Sequence, residues 1–191
     1  MEFRTFDLDG PIEIIPSKIE DERGYFSEVF RLDTFSQLVP QIKFLQDNQS
    51  LSVRAGTIRG LHFQTPPFAQ GKLVRCLAGC LFDVAVDLRV DSPSHGEWMS
   101  VVLSPDDNNQ LWIPPGFGHA FCTLVPNSVI SYRVTQYYSR EHDKGVVWDD
   151  PQIAIDWPEI ADPETLSVKD RQQPKLAELP PYFTMSDSGC A

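Results

Sequence analysis

Short apolar-rich runs, each closed by Gly, Pro, Asn or Asp, recur along the chain: PIEIIP, YFSEVF, KFLQDNQSLS, TIRGLHFQ, KLVRCL, CLFDVAVDLRV, EWMSVVLS, QLWIPP, HAFCTLV and SVISYRVTQYY. Runs of this length and spacing, with little helical period between them, predict an all-β sandwich or barrel, and a jelly-roll barrel is the form expected here. The cleanest alternation is in CLFDVAVDLRV. Phe82, Val84, Val86 and Leu88 share one parity and Asp83, Ala85, Asp87 and Arg89 the other, so one face should pack while the other is polar and meets solvent or a ligand cavity. Helix is expected only in RLDTFSQLV and around residues 162–170, where Asp162 precedes Pro163 as a cap precedes a first helical residue. Beyond Gln173 the Pro-rich stretch reads as an arm and then a tail. The expected organisation is one domain over 1–184 and a flexible tail at 185–191.

Composition narrows the function. With 41% hydrophobic and 23% charged residues the chain has ordinary globular content. A formal charge of −11 argues against a general nucleic-acid binder, whose affinity comes from neutralising phosphates. Any anionic ligand must then meet a local basic cluster. The Met-Glu-Phe-Arg-Thr start lacks an apolar signal core, and no apolar run nears the ~20 residues of a membrane span. A cytoplasmic protein with no membrane partner is expected. Cys76, Cys80, Cys122 and Cys190 have neither zinc-ribbon spacing nor disulfide density. The first three read as small core residues and Cys190 as an exposed thiol.

Candidate chemistry concentrates in TIRGLHFQTPPFAQGKLVRCLAG, residues 57 to 79. Arg59 and His62 have opposite parity, so a regular strand would send them to opposite faces, an exposed Arg and a core His. A bulge at Gly60 would instead bring both to one face. Metal binding is poorly supported, because Gly60 and Gln64 flank His62 where a second ligand would stand, and His119 is the only later histidine in a strand-like context. A neutral imidazole beside the Lys72 ammonium suits proton abstraction next to a carbonyl, with the cation stabilising the oxyanion. Inversion also needs an acid on the other face. Tyr132 shares parity with Ile130 and Val134, and reads either as that acid or as an ordinary cross-strand aromatic.

Taken in order, DERGYFSEVF, QDNQSLS, IRGLHFQTPPFAQGKLVRCLAG, FDVAVDLRVDSPSHGEW, WIPPGFGHAF, SYRVTQYYSREHDKGVVWDDPQIAIDWP and LSVKDRQ, spanning about residues 10 to 173, resemble the dTDP-4-dehydrorhamnose 3,5-epimerase family, a metal-free branch of the cupin-like jelly rolls. The resemblance implies inversion at C3 and C5 of dTDP-4-dehydro-6-deoxy-D-glucose, with no cofactor and no metal. It implies His62 as base, Asp170 as its orienting partner, Lys72 at the enolate oxygen and Tyr132 as acid. Arg23, Arg59 and His119 match diphosphate positions, while Phe26, Glu28, Gln46, Asn48 and Tyr138 fall among family contacts to thymidine or sugar. Asp83 resembles a carboxylate that positions Lys72, with a plain polar strand residue as the alternative. A homodimer is implied, in which exchanged N-terminal strands carry an Arg into the partner's site. Ala120 stands where the family commonly has Gly, and would crowd the cavity by a methyl. Two alternatives remain at this point: a single-position epimerase of another deoxysugar pathway, and a non-catalytic nucleotide-sugar-binding cupin.

Overall fold

Alternating side chains pair the predicted runs into two antiparallel sheets that face one another in a computed structural model describing residues 1–188. One sheet has the order β1 (Glu2–Thr5), β2 (Ile12–Ile15), β10 (Gln110–Ile113), β7 (Lys72–Ala78), β12 (Ser128–Val134) and β5 (Gln46–Ser52). The other has the order β13 (Asp143–Gly145), β6 (Ile58–Gln64), β11 (Phe117–Thr123), β8 (Leu81–Asp87) and β9 (Trp98–Leu103). A separate hairpin pairs β3 (Ile19–Asp21) with β4 (Gly24–Phe26). Neighbouring strands in each sheet are mostly distant in sequence, as a jelly roll requires.

Between the sheets Val74, Leu81, Leu111, Ile113, Phe117 and Ile130 form the inner core. Both faces of β8 are buried, which differs from the one polar face expected. Phe82, Val84, Val86 and Leu88 point outward but are roofed by Ile153, Leu176 and Phe183 from the C-terminal half. The opposite parity points into the barrel, where Asp83 and Asp87 are 0% exposed and each has a side-chain partner. A charged residue at such a position survives because it is paired.

The short helices sit at the periphery. RLDTFSQLV supplies a single turn, α1 (Leu32–Phe35), whose Phe35 packs on Ile14, Leu73 and Trp112 on the outer face of the six-stranded sheet. The expected helix near 162–170 is split. Asp162 caps a 3-10 turn over Pro163–Thr165, Leu166 then becomes extended, and Ser167 caps α2 (Val168–Arg171) by accepting from the Asp170 amide. The Pro-rich arm after Gln173 is held down: Phe183 is 1% exposed and its ring meets Phe63 of β6 edge-on, with centroids 5.5 Å apart. A 3-10 turn covers Met185–Ser188. Cys76 and Cys122 are buried as expected, whereas Cys80 is partly exposed in the turn between β7 and β8, and Cys190 lies outside the described residues.

Candidate active site

Of the two readings open for Gly60, the structure has the bulge and not the regular strand. Arg59 lies opposite Phe121 and His62 opposite His119, so Gly60 and Leu61 together face Ala120 alone. The extra residue reverses parity, and both Arg59 and His62 line the same cavity of about 520 Å³ between the sheets. Only glycine suits position 60, where φ is +120° and an added Cβ would lie 2.5 Å from the Ala120 Cβ. Ala120 itself belongs to the outer cluster with Leu61 and Val84. Its methyl therefore packs behind the sheet and does not crowd the cavity, contrary to expectation.

Tyr132, Lys72, His119, Gln46, Asn48 and Tyr138 also line this cavity. Three strands of the six-stranded sheet bring most of them together: Tyr132 of β12 pairs with Asn48 of β5 and Val134 with both Gln46 and Lys72 of β7. The opposite wall carries two His–Asp pairs, with His62 and His119 facing the cavity. His62 Nε2 meets Asp170 Oδ1 at 2.6 Å, with 33% of the imidazole side chain exposed and the carboxylate buried. His119 Nε2 meets Asp83 Oδ1 at 2.8 Å, and both residues are buried. Asp83 thus hydrogen-bonds His119 where a contact to Lys72 was expected. The Lys72 ammonium donates instead to the His62 carbonyl at 3.1 Å.

These surroundings set the charges. Burial brings Lys72 down to about 8, against the attraction of Asp143 and Asp83. Burial also holds His119 below the ordinary histidine range despite Asp83, and raises the Tyr132 phenol despite Arg59. For Asp170 burial acts upward, but the hydrogen bond and charge of His62 outweigh it and hold the carboxyl low. The cavity therefore offers an oriented imidazole, a buried ammonium and a protonated phenol. Together these are the groups needed to move a proton beside a carbonyl. Among the described residues no group of three His, Cys, Asp or Glu side chains converges as metal ligands.

Arg23, Phe26 and Glu28 are not brought to this cavity. Arg23 sits on the exposed hairpin, its side chain 83% exposed and paired with Asp21, while Phe26 and Glu28 also face outward. The sequence reasoning passed over Lys169, Asp143, Gln64, Gln70 and Phe121, all of which line the cavity. Lys169 pairs with Asp143, which also accepts from the Tyr138 hydroxyl at 3.1 Å, tying α2 to β13 at the cavity edge. Parity with His119 on β11 was a signal for Phe121. Asp143, in a polar turn-like stretch, gave none.

A family model described as dTDP-4-dehydrorhamnose 3,5-epimerase matches residues 5–178. The chain is 54% identical over 183 residues to a dTDP-4-dehydrorhamnose 3,5-epimerase of Sinorhizobium fredii, covering 96% of this chain and 93% of the relative. Among solved structures it is similar to the dTDP-6-deoxy-D-glucose-3,5-epimerase of Legionella pneumophila in complex with dTDP-4-keto-L-rhamnose, with a TM-score of 0.87, 40% identity and 94% of each chain covered. The rmlC epimerase of Mycobacterium tuberculosis superimposes with a TM-score of 0.93 at 32% identity, covering 98% of this chain and 96% of that one.

Proposed function

The chain belongs to the dTDP-4-dehydrorhamnose 3,5-epimerase family, and from that premise we propose how its residues convert dTDP-4-dehydro-6-deoxy-D-glucose into dTDP-4-dehydro-L-rhamnose. The ring nitrogen of His62 not engaged by Asp170 takes the proton from the carbon beside the C4 ketone. The C–H electron pair moves into the carbonyl, and the resulting enolate oxygen accepts from the Lys72 ammonium. Tyr132 then delivers its phenolic proton to the opposite face of the same carbon, inverting it. Repetition at the second flanking carbon gives the L-sugar, and solvent exchange resets acid and base. Electrons leave and return to the same carbon, so the step needs no redox group.

The observation that carries this reading is the His62–Asp170 pair on one cavity with Lys72 and Tyr132. Arg59 and His119 hold the diphosphate, with Asp83 fixing the His119 ring. Gln46, Asn48 and Tyr138 contact thymidine or sugar. Guanidinium groups suit phosphate because their planar fork donates paired hydrogen bonds. The exposed hairpin bearing Arg23 and Phe26, with Glu28 just beyond it, serves the partner's cavity in a homodimer. Its exposure supports that role, and a monomeric mass in solution would count against it. No helix among the described residues is long and apolar enough to cross a membrane, and a cytoplasmic location suits a nucleotide-linked substrate.

A proton NMR time course with the keto-sugar nucleotide in deuterium oxide tests the activity. Deuterium at both C3 and C5 with formation of the L-sugar is expected. Label at one carbon alone would make the protein a single-position epimerase, and no label would leave it a binding cupin.

A further inference from the structure

Strand β5 presents a row of polar side chains to the cavity. Gln46, Asn48 and Ser50 share one parity and are partly buried, whereas Asp47, Gln49 and Leu51 are exposed. Within the row Gln46 and Asn48 satisfy one another, since Gln46 Nε2 donates to Asn48 Oδ1 at 2.7 Å. Ser50 has no such arrangement. Its Oγ is buried and has no hydrogen-bond partner among the described residues, although Ser50 lines the cavity. A buried hydroxyl left in this state is destabilising, and turning about χ1 to meet a ligand oxygen in the cavity that Ser50 lines relieves that cost on binding.

The neighbours indicate which oxygen. Arg59 reaches across from the other sheet and is pinned to the two residues that follow Ser50: its Nε donates to Ser52 Oγ at 3.3 Å and its Nη2 to the Leu51 carbonyl at 3.2 Å. A fixed cation and a free hydroxyl therefore stand at the same end of the cavity. Lys72 stands at the other. Ser50 pairs with Ile130 of β12, and Lys72 pairs with Val134, four residues further along that strand, or roughly 13 Å at ~3.3 Å per residue. The Ser50 hydroxyl is thus too far along the barrel to share the C4 oxygen with Lys72.

We propose that Ser50 is a specificity-determining residue whose hydroxyl donates to a diphosphate oxygen of the nucleotide sugar beside Arg59, a role that rests on the reading of this cavity as a dTDP-sugar site. The test is calorimetric titration of wild type, Ser50→Ala and Ser50→Thr with dTDP and with thymidine, together with steady-state kinetics on the keto-sugar nucleotide. Removing a hydrogen bond to a charged oxygen is expected to weaken dTDP binding and raise KM about tenfold in Ser50→Ala. Thymidine binding and kcat should stay within about twofold, and Ser50→Thr, which keeps the hydroxyl, should recover most of the loss. Equal dTDP affinity in wild type and Ser50→Ala, or a fall in kcat at constant KM, would overturn the proposal while leaving the dTDP-sugar reading intact. Failure of the wild type itself to bind dTDP would overturn both.

Discussion

Asp87 and Asp170 are both buried carboxylates, 0% and 3% exposed, yet their surroundings suit opposite tasks. Asp87 accepts from Arg89 Nε at 2.8 Å and Nη2 at 2.7 Å, from the Arg89 amide, and from the hydroxyls of Ser92 and Ser94. Burial alone would raise its carboxyl, but these donors hold it below the ordinary range. Its partner never loses its charge. Arg89 also stacks on Phe117 and donates to the Asp9 carbonyl, so the network joins the N-terminal segment to the barrel. Asp170 instead meets the imidazole of His62, which is partly exposed to the cavity, with the Ser167 hydroxyl as a further donor. Closure and a permanent charge favour rigidity. An open pair with a titratable member can change charge within a catalytic cycle.

The sharpest way to break this contrast is to remove His62. On the proposed role of His62 as general base, His62→Ala should lose about 10²–10⁴ in kcat, while dTDP affinity stays near wild type and Tm falls less than in Asp87→Ala. Activity within a few-fold of wild type would take the base away from His62. Asp87→Ala is the mirror experiment. Removing the carboxylate that accepts two bonds from the buried Arg89 guanidinium should cost about 3–5 kcal/mol of stability, read as a lower urea midpoint, with kcat per folded molecule unchanged. A loss of turnover without loss of stability would place Asp87 with the catalytic groups.

The two pairs were not equally legible in the sequence. Strand pattern and turn residues predicted the sheets well, and Gly60 offered, as the alternative to a regular strand, the bulge that brings Arg59 and His62 to one side. The same alternation left β8 open, because parity separates two faces but does not say that the C-terminal arm will roof one and the barrel enclose the other. Asp87 and Arg89 could for that reason have met either solvent or a cavity. The strands β1, β3 and β13 passed unnoticed: each spans three or four residues, too short for a period to emerge, and owes its conformation to its neighbour. Asp170 stands 108 positions from His62, and no local pattern links them. It came from the family resemblance, as did Gln46, Asn48 and Tyr138.

The pH dependence sharpens the contrast further. Burial lowers Lys72 to about 8, and enolate stabilisation needs its charged form. The alkaline limb of kcat should therefore bend near pH 8 and fall about tenfold per unit above it. Stability should respond in the opposite direction. Between about pH 8 and the ordinary lysine range, the unfolded chain holds a proton at Lys72 that the folded chain has released, so this residue makes unfolding harder as pH rises. Wild type should gain stability relative to Lys72→Met across that window while losing activity. A kcat flat to pH 10 would remove the Lys72 charge from the reaction.

Asp170→Asn is expected to give the smallest effect and the most direct comparison with Asp87. The amide is nearly isosteric and can turn its oxygen to the His62 Nε2–H, so the ring keeps its orientation and tautomer. What disappears is the negative charge that stabilises the imidazolium once the proton has been taken. The expected loss is about tenfold in kcat with KM unchanged, well short of His62→Ala because the base is still present. Stability should change little at neutral pH, since the position stays hydrogen-bonded and its partner can remain neutral. Asn at 87 has no such refuge: one of its two carboxylate oxygens becomes an NH₂ facing the donors of Arg89 or of Ser92 and Ser94, and the arginine cannot discharge. Asp87→Asn should therefore lower the urea midpoint clearly more than Asp170→Asn, while Asp170→Asn lowers kcat clearly more than Asp87→Asn. Equal shifts in both measurements for both variants would mean that the two aspartates serve the same structural purpose, and that the contrast in their partners has no functional consequence.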